Sequence, residues 1–386
     1  MQKYRLLTPG PTPLPENARM ALGCEIIHHR TSKFRSVLAD VLDRLKYVFV
    51  TKNDVLVFTS SGTGAMEAAV SNLAPRDGKV IVLESGKFSE RWRKLCEKFG
   101  IEVVRYEVPW GQPFDSAKVA QLLQTHPDAA CVYATLSETS TAVGHDIEAI
   151  GRVVRQHDAV FVVDGISGVG VMECQTDDWG IDVLVVGSQK ALMGPPGLAF
   201  LAISPAAWRQ IESIDRQAFY FDLISYRNAL KGPDTPFTPA EPLVVALAES
   251  LKAICDQGIE NVWRRAKVLA QATRESLLTL GMKLLAERPS DGLTAAFFPD
   301  GIDGRIFLEK LERKFGIKLA AGQGPVKGKI FRIAHMGMVD ELDIIAAIAA
   351  IELVLVEMGQ SVTLGAGVTA AERVIANDAR VPTSMD

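Results

Sequence analysis

The chain of 386 residues is 48% hydrophobic and 23% charged, which is enough for one large and one smaller domain around a sizeable core. Its formal net charge of −4 argues against nucleic acid or an anionic membrane surface as the main partner. The five cysteines are scattered without a CxxC pair, so we expect neither a zinc site nor a disulfide framework.

The N-terminal segment is expected to be an extended arm. Residues 1–15 contain four prolines, which disfavour a helix. Because an extended segment buries little against itself, the arm should lie on the body of the protein or on a neighbouring subunit. The same region lacks the apolar stretch of a signal peptide, and no apolar run approaches the roughly 18–20 residues that span a bilayer. We therefore expect a cytoplasmic protein.

From about residue 54, short β-rich runs alternate with helical segments. This alternation predicts an α/β fold with a mostly parallel sheet covered by helices on both faces. Ligands of such sheets bind outside the carboxyl ends of the strands, so the residues just after each strand are candidates for function. The β-rich runs are Val55–Phe58, Val80–Leu83, Ala130–Ala134, Val160–Val163, Val183–Val186 and Ala199–Ile203, and helical segments include 65–73, 89–99 and 146–156.

The second half of the chain has a different organisation. A proline-rich interruption at 231–242 precedes a long helical pattern from Leu243 to about Leu280, and a basic strand is expected at Lys329–Ile333. Residues from Ser361 onward have little periodicity and are expected to be peripheral. We predict an arm at 1–15, a large domain at 16–265 and a small C-terminal domain at 266–386.

A run of small residues follows the first strand of the alternating region. Residues 59–65, TSSGTGA, lead from this strand into a helix. Small residues let the backbone approach an anion, and the N–H groups at a helix start can hold a phosphate together with Ser and Thr hydroxyls. The segment is neither a Walker loop nor a GxGxxG motif, so a plain strand-to-helix turn remains the alternative.

An aspartate and a lysine follow two later strands. Asp164 ends the run Val160–Val163, where a carboxylate either caps a helix or keeps a pyridinium nitrogen protonated. Lys190 follows the run Val183–Val186 within the apolar sequence QKALMGPPG. There it either reaches solvent or has its pKa lowered by burial, and a neutral amine can form an imine. The ordered set of loop, aspartate and lysine favours a shared functional site.

Residues 188–199, SQKALMGPPGLA, resemble the lysine loop of the class V aminotransferases, in particular the alanine–glyoxylate and serine–pyruvate (serine–glyoxylate) group. The resemblance extends over roughly residues 5–355. It implies the cofactor pyridoxal 5′-phosphate (PLP) and fold type I, with a mostly parallel seven-stranded sheet in a large PLP-binding domain and a smaller α/β C-terminal domain. Other matching segments are TPGPTPLP (8–15), SSGTGAMEA (60–68), SETST (137–141), VDGISGVG (163–170) and FRIAHMG (331–337).

The resemblance also implies roles for individual residues around the cofactor. The residue matching the family lysine, Lys190, forms the imine with PLP and then moves the proton between the substrate Cα and the cofactor C4′. Asp164 pairs with the pyridine nitrogen. Phe88 stacks on one face of the ring, where many relatives have Trp or Tyr, and Ile166 packs on the other. Thr63, Gly64, Ala65 and Gln189 match phosphate ligands, and Thr139 matches the hydroxyl near the phenolic oxygen.

Other matching residues concern the substrate and a second subunit. Arg332 matches the arginine that clamps the substrate α-carboxylate, a bidentate role that suits a planar guanidinium. Thr235 and Thr238 match a segment that reaches the phosphate of the neighbouring subunit, which implies a homodimer with shared active sites. His29 resembles a residue of the substrate pocket, with an ordinary polar loop as the alternative. At position 142 the chain has Ala where many relatives have Gly.

These features predict a transaminase that moves an amino group from a small L-amino acid, alanine or serine, to glyoxylate or pyruvate. No second cation for a distal carboxylate is evident. Other donors, 2-aminoethylphosphonate or ureidoglycine, remain open. A cysteine desulfurase is disfavoured because Cys255, the one cysteine after Lys190, lies in a helical pattern and because Gln189 replaces the histidine of those enzymes. A non-enzymatic subunit of a soluble hydrogenase-type complex is the alternative of a different class.

Overall fold

A computed structural model describes residues 3–216 and 218–378 of the chain. Expectations for residues 1–2 of the arm and for residues 379–386 of the C-terminal tail lie outside the described residues. The strands are β1 Arg5–Leu6, β2 Asp54–Thr59, β3 Lys79–Glu84, β4 Glu102–Glu107, β5 Ala129–Thr135, β6 Ser137–Glu138, β7 Val143–Gly144, β8 Val160–Asp164, β9 Val183–Gly187, β10 Leu198–Ile203, β11 Leu293–Phe297, β12 Ile317–Lys318, β13 Ala320–Ala321 and β14 Ile330–Ala334.

The helices surround these strands, and one short 3-10 turn, Gly324–Val326, precedes β14. The helices are α1 Glu16–Ala21, α2 Ser32–Phe49, α3 Gly62–Leu73, α4 Glu90–Lys98, α5 Ser116–Thr125, α6 Ile147–Val154, α7 Pro205–Ser213, α8 Leu223–Ala229, α9 Glu241–Gln257, α10 Ile259–Thr279, α11 Gly304–Phe315, α12 Glu341–Glu357 and α13 Ala366–Asp378.

The largest sheet has seven strands in the order β2-β10-β9-β8-β5-β3-β4. Strand β10 is antiparallel to both β2 and β9, and the remaining pairs are parallel. The prediction of a mostly parallel seven-stranded sheet is therefore confirmed, and all six β-rich runs lie within its strands. The seventh strand, β4, was not among those runs. It is an edge strand with partly exposed residues, so it lacks the continuous apolar sequence of its neighbours.

Alternating side chains of the strands form a hydrophobic layer on each face of this sheet. In β2, Val55 and Val57 pack into the layer beneath α2 and α9, while Leu56 and Phe58 pack into the layer beneath α3 and α8. Period-two alternation places successive side chains on opposite faces of a strand. Both layers hold the strands in place and so fix the positions of the residues that follow them.

A second, three-stranded antiparallel sheet lies in the C-terminal part of the chain, in the order β11-β14-β13. Its core includes Phe307, Phe331 and Ile333, together with Leu7 from the arm. Strand β1 pairs in parallel with β12, so the arm lies on the body of its own chain. The predicted boundary at 265/266 falls inside α10, and the division into domains stays a prediction.

Two features of the C-terminal half were not predicted. The pattern from Leu243 to Leu280 is two helices, because Gly258 adopts a φ of 81° and ends α9 before α10 begins. The segment after Ser361 contains α13, which packs against α10 with Ala371 fully buried. Its small residues bury surface by close approach rather than through large side chains. No helix in residues 3–216 or 218–378 is long and apolar enough to cross a membrane.

Candidate active site

The carboxyl ends of the parallel strands bring the main predicted residues to one edge of the large sheet. Asp164 is the last residue of β8, and Lys190 follows β9 by three residues. Thr63 lies in the first turn of α3, just after β2. The parallel register between β8 and β9 places Asp164 opposite Val185, close to the lysine loop. The strand order therefore assembles residues that are distant in sequence.

The arm passes directly over Lys190. The amine Nζ donates a hydrogen bond to the carbonyl of Pro9 at 2.5 Å, and the Thr12 hydroxyl donates to the Lys190 carbonyl at 2.8 Å. Gly10 has a φ of 96°, and a Cβ at this position would lie 2.3 Å from Lys190 Cδ. Only glycine gives both the backbone conformation and the space for the lysine side chain.

The amine of Lys190 is poised to become neutral near physiological pH. Burial is the main reason that its pKa is lowered to about 8, and the positive charges of Arg332 and Arg91 also lower it. The carboxylate of Asp164 has the opposite effect and raises this pKa. A lowered pKa increases the fraction of the amine with a free electron pair. Lys190 therefore has the chemistry of a nucleophile and of a proton acceptor.

Asp164 is buried, with 4% of its surface exposed, and has few partners. Its Oδ1 accepts a hydrogen bond from the backbone N–H of Ile166 at 2.9 Å. Its Oδ2 accepts none from the residues that the structure describes. Burial raises the pKa of this carboxyl to about 7, although the N–H of Ile166 lowers it. A cationic partner at Oδ2 would stabilise the ionised form, so the site fits the pyridinium nitrogen of PLP.

The first turn of α3 fits the phosphate of PLP. The N-cap residue Ser61 makes no capping hydrogen bond through its side chain. Gly64 lets the Ser60 side chain lie against this turn, because a Cβ there would lie 1.9 Å from Ser60 Oγ. Ala65 is fully buried behind it. Nearby, Gln189 has a buried Oε1 with no hydrogen-bond partner in the described chain; this oxygen is an acceptor, so only the NH2 group of the side chain could donate to an anion. Free donors at a helix start suit an anion.

Phe88 is held beside this turn by Glu138, a fully buried carboxylate that the sequence analysis did not assign. Glu138 accepts hydrogen bonds from the backbone N–H groups of Phe88, Ser89 and Ser140 and from both serine hydroxyls. One carboxylate thus joins the loop before α4 to the loop after β6. The position of Phe88 depends on it.

Arg91 is a second residue that the sequence analysis missed. Its Nη1 donates to the Thr63 hydroxyl at 2.9 Å, and its guanidinium carbon lies 5.3 Å from the centroid of the Phe88 ring. The distance is within the range of a cation–π contact. The sequence held no signal for this contact, because Phe88 precedes α4 and Arg91 lies in a charged stretch of that helix.

Ile166 lies against the first turn of α3, and Thr139 lies between Ser167 and Arg332. Ile166 packs against Gly62, where a Cβ would lie 2.4 Å from Ile166 Cδ1. The Thr139 hydroxyl donates to Ser167 Oγ at 2.7 Å, and the Thr139 carbonyl accepts from Arg332 Nη1 at 3.0 Å. Thr139 therefore connects Arg332 to Ser167, three residues after Asp164.

Arg332 lies on β14 with only 5% of its surface exposed. Besides Thr139, its guanidinium donates twice to the carbonyl of Ala321, at 3.1 and 2.7 Å. In the described ranges it forms no salt bridge with a carboxylate. Burial lowers its pKa to about 10, which leaves it charged at neutral pH. A buried guanidinium held only by carbonyl groups can bind an incoming carboxylate strongly.

Three predicted residues are not brought to this site within the described part of the chain. The Thr235 hydroxyl donates to the carbonyl of Phe237 at 2.7 Å, and Thr238 is exposed. His29 stacks on His28 with ring centroids 4.7 Å apart. Arg30, next to His29, pairs with Asp234 and donates to the carbonyl of Thr235 at 2.9 Å. The two segments are thus joined to each other, and their roles stay predictions.

Comparison with known proteins shows sequence similarity over nearly the whole chain. The family model described as "Aminotransferase class-V" matches residues 18–339. A soluble hydrogenase small subunit from Synechococcus sp. is 39% identical, with 97% of this chain and 98% of that protein covered. An L-aspartate–glyoxylate aminotransferase from Paracoccus denitrificans is 34% identical, with 95% of each covered. A serine–glyoxylate aminotransferase from Methylorubrum extorquens is also 34% identical, with 96% and 95% covered.

A solved structure supports the same relationship. The pyridoxamine–pyruvate aminotransferase from Mesorhizobium loti has a TM-score of 0.93 and 27% identity, with 98% of each chain covered. This likeness and the sheet topology confirm the prediction of fold type I. Cys255 lies in α9, as its helical pattern indicated, rather than on a loop.

Proposed function

Because this chain belongs to the class-V aminotransferase family and is a PLP-dependent aminotransferase, we propose that it moves an amino group from alanine or serine to glyoxylate or pyruvate. Amino acids and keto acids are the substrates of such enzymes. The observation that carries the proposal is the buried, carboxylate-free guanidinium of Arg332 beside the lysine and aspartate of the cofactor site.

The residues at this edge of the large sheet fit PLP. Lys190 would hold it covalently, Asp164 would face the ring nitrogen, and Phe88 and Ile166 would lie on the two ring faces. When bound, PLP supplies an electron sink for the charge left at the substrate Cα after its proton departs. The phosphate would lie at the first turn of α3, against Thr63, Gly64, Ala65 and Gln189.

Three side chains of the site would then have separate tasks. Once the substrate's amine has displaced Lys190 from the cofactor, the freed, neutral amine of Lys190 would take the proton from the substrate Cα, a role that its pKa of about 8 suits. An ionised Asp164 facing the ring nitrogen would favour the protonated form of that nitrogen. Arg332 binds the α-carboxylate by two parallel hydrogen bonds and so orients Cα toward Lys190.

The preference for small donors follows from the cations around Lys190. Arg332 serves the α-carboxylate. Arg91, the other guanidinium whose charge lowers the pKa of Lys190, is bound to Thr63 on the phosphate side. A distal carboxylate would therefore lack a dedicated partner in the described chain. Relatives named for serine–glyoxylate and L-aspartate–glyoxylate transfer support glyoxylate as acceptor.

We further propose a homodimer in which Thr235 and Thr238 approach the phosphate of the partner subunit. Thr238 is exposed, and two residues later the N–H of Ala240 donates to Thr59 Oγ1 at 2.9 Å. Ala240 thus anchors the end of this segment at β2 of its own chain, while Thr238 stays exposed. Sedimentation at assay concentration tests this proposal: a fully active monomer would contradict it.

A donor and acceptor panel tests the proposed function. Purified enzyme loaded with PLP is supplied with alanine, serine, aspartate, 2-aminoethylphosphonate or ureidoglycine, and with glyoxylate or pyruvate as acceptor. The amino and keto products of both half-reactions are quantified. We expect the highest kcat/KM with alanine or serine and glyoxylate. A preference of tenfold or more for aspartate or for a donor without an α-carboxylate would overturn the substrate assignment.

A further inference from the structure

Arg91 has an unusual environment for a charged residue on a surface helix. Two other cations of α4, Arg93 and Lys94, pair with carboxylates: Arg93 with Glu84 and Lys94 with Glu90. Arg91 forms no salt bridge among residues 3–216 and 218–378. It is partly buried, and its contacts are the Thr63 hydroxyl and the face of the Phe88 ring.

The hydrogen bond between Arg91 and Thr63 has a defined direction. A guanidinium has only donors, so the Thr63 oxygen must accept from Arg91 Nη1. The hydroxyl hydrogen of Thr63 is then free to donate, and it has no acceptor among the described residues. Because hydrogen bonds in a chain polarise one another, a donor to the hydroxyl oxygen strengthens the hydroxyl as a donor to an anion.

The charge of Arg91 also reaches the rest of the site. It lowers the pKa of both Asp164 and Lys190. A positive charge at this place favours an anion next to the first turn of α3, where the N–H groups of Gly62 and Thr63 make no hydrogen bond to other described groups.

We propose that Arg91 is a positioning residue for the cofactor phosphate: it holds the Thr63 hydroxyl as a donor to the phosphate and adds positive charge to the phosphate site. The inference rests on the proposed function, because it requires PLP at this edge of the sheet. It differs from a purely structural role, in which Arg91 would serve only to hold Phe88 in place.

The phosphate group itself distinguishes the two roles. Pyridoxal has the ring and aldehyde of PLP but no phosphate, so it needs Phe88 and Lys190 and gains nothing from Arg91 through Thr63. We therefore measure the Kd of PLP and of pyridoxal with the full-length apoprotein, by absorbance of the lysine-bound cofactor and by quenching of tryptophan fluorescence. The variants are Arg91→Gln, Arg91→Lys, Thr63→Val and the double variant Arg91→Gln/Thr63→Val.

We expect Arg91→Gln to raise the Kd of PLP by roughly 10- to 100-fold, the range of one charge-assisted hydrogen bond. The Kd of pyridoxal should change by less than about threefold, within the ordinary variation of a surface substitution. Arg91→Lys should recover part of the PLP affinity, because it keeps the charge but not the planar geometry. The double variant should bind PLP more tightly than the sum of the two single effects would give, because part of the effect of Arg91 passes through the Thr63 hydroxyl and is already lost in Thr63→Val.

Arg93→Gln is the matched control, since Arg93 lies two residues further on the same helix and pairs with Glu84 and Glu97. It should leave the Kd of PLP unchanged. The inference is overturned if Arg91→Gln weakens PLP and pyridoxal equally, if it leaves PLP binding intact, or if the two single effects simply add. If the wild-type apoprotein binds neither ligand, the proposed function itself is wrong.

Discussion

The buried carboxylate of Glu138 gives the sharpest test of how the site is held together. Glu138 Oε1 accepts from the N–H and hydroxyl of Ser140 at 3.1 and 2.6 Å. Its Oε2 accepts from the N–H and hydroxyl of Ser89 at 2.8 and 2.9 Å. In Glu138→Gln the amide has one oxygen and one NH2 group. Either orientation therefore turns a donor toward a buried backbone N–H.

The cost of this change can be worked out from these contacts. An unsatisfied buried N–H costs about 1–3 kcal/mol, and loss of the hydrogen bonds to a charged group costs about 1.5–3 kcal/mol more. We expect Glu138→Gln to lower the free energy of unfolding by about 2.5–6 kcal/mol, a large share of the roughly 5–15 kcal/mol typical of a folded protein. Displacement of Phe88 should also raise the Kd of PLP by roughly 3- to 10-fold, the range of an aromatic stacking contact.

Urea unfolding of the apoprotein measures the first effect, and a PLP titration measures the second. Glu84→Gln is the matched control, because Glu84 is also buried but its carboxylate pairs with Arg93 and Arg105 rather than with the Phe88 loop. It should reduce stability without changing the affinity for PLP. If Glu138→Gln stays within about 1 kcal/mol of wild type and binds PLP normally, the carboxylate is not what positions Phe88.

Three further predictions concern single residues. Asp164→Asn should keep the covalent link to Lys190 but reduce the rate of Cα deprotonation by orders of magnitude, since each unit by which the pKa of the ring nitrogen falls is worth about 1.4 kcal/mol. Single-turnover kinetics measure this rate, and a near-normal rate would remove Asp164 from the site. Arg332→Ala should cut kcat/KM for alanine roughly 30- to several-thousand-fold at unchanged PLP content, because loss of the contact with the substrate carboxylate costs about 2–5 kcal/mol. Arg332→Lys should recover part of this loss. A change within about threefold in steady-state assays would make Arg332 structural. Burial lowers the pKa of His145 to about 3, so the unfolded chain, whose histidine has a pKa near 6.5, binds the extra proton. The stability that neutral His145 contributes is therefore complete above about pH 6.5 and falls as the pH drops toward 3, by about 2 kcal/mol at pH 5. Between pH 7 and pH 5, the free energy of unfolding in urea should fall by about 2 kcal/mol more in wild type than in His145→Gln. An equal change in the two proteins would contradict this role of His145.

The sequence predicted the large sheet and the residues at its strand ends, because both depend on local patterns. Apolar runs identify buried strands; Asp164 ends one of these strands, and Lys190 follows another by three residues. The break at Gly258 was missed because the apolar pattern continues through it on both sides. The positive φ of Gly258 ends α9 and separates it from α10.

Glu138 and Arg91 could not be assigned from the sequence for a different reason. Glu138 acts on Phe88 and Ser89, about 50 residues away along the chain, so its partners are set only by the packing of β3, β5 and β6. Arg91 lies in the charged stretch ERWRKLCEK, where its neighbours form ordinary surface salt bridges. Only the fold shows that this one arginine points toward Thr63.

The covalent attachment of PLP to Lys190 is the central claim, and peptide mapping tests it directly. Holoenzyme is treated with borohydride, which fixes the link between cofactor and lysine as a stable amine, and is then digested and analysed by tandem mass spectrometry. The pyridoxyl group should be found on the peptide that contains Lys190, and Lys190→Ala should carry none at any lysine. A pyridoxyl group on another lysine of the wild-type chain, or none at all, would contradict the assignment.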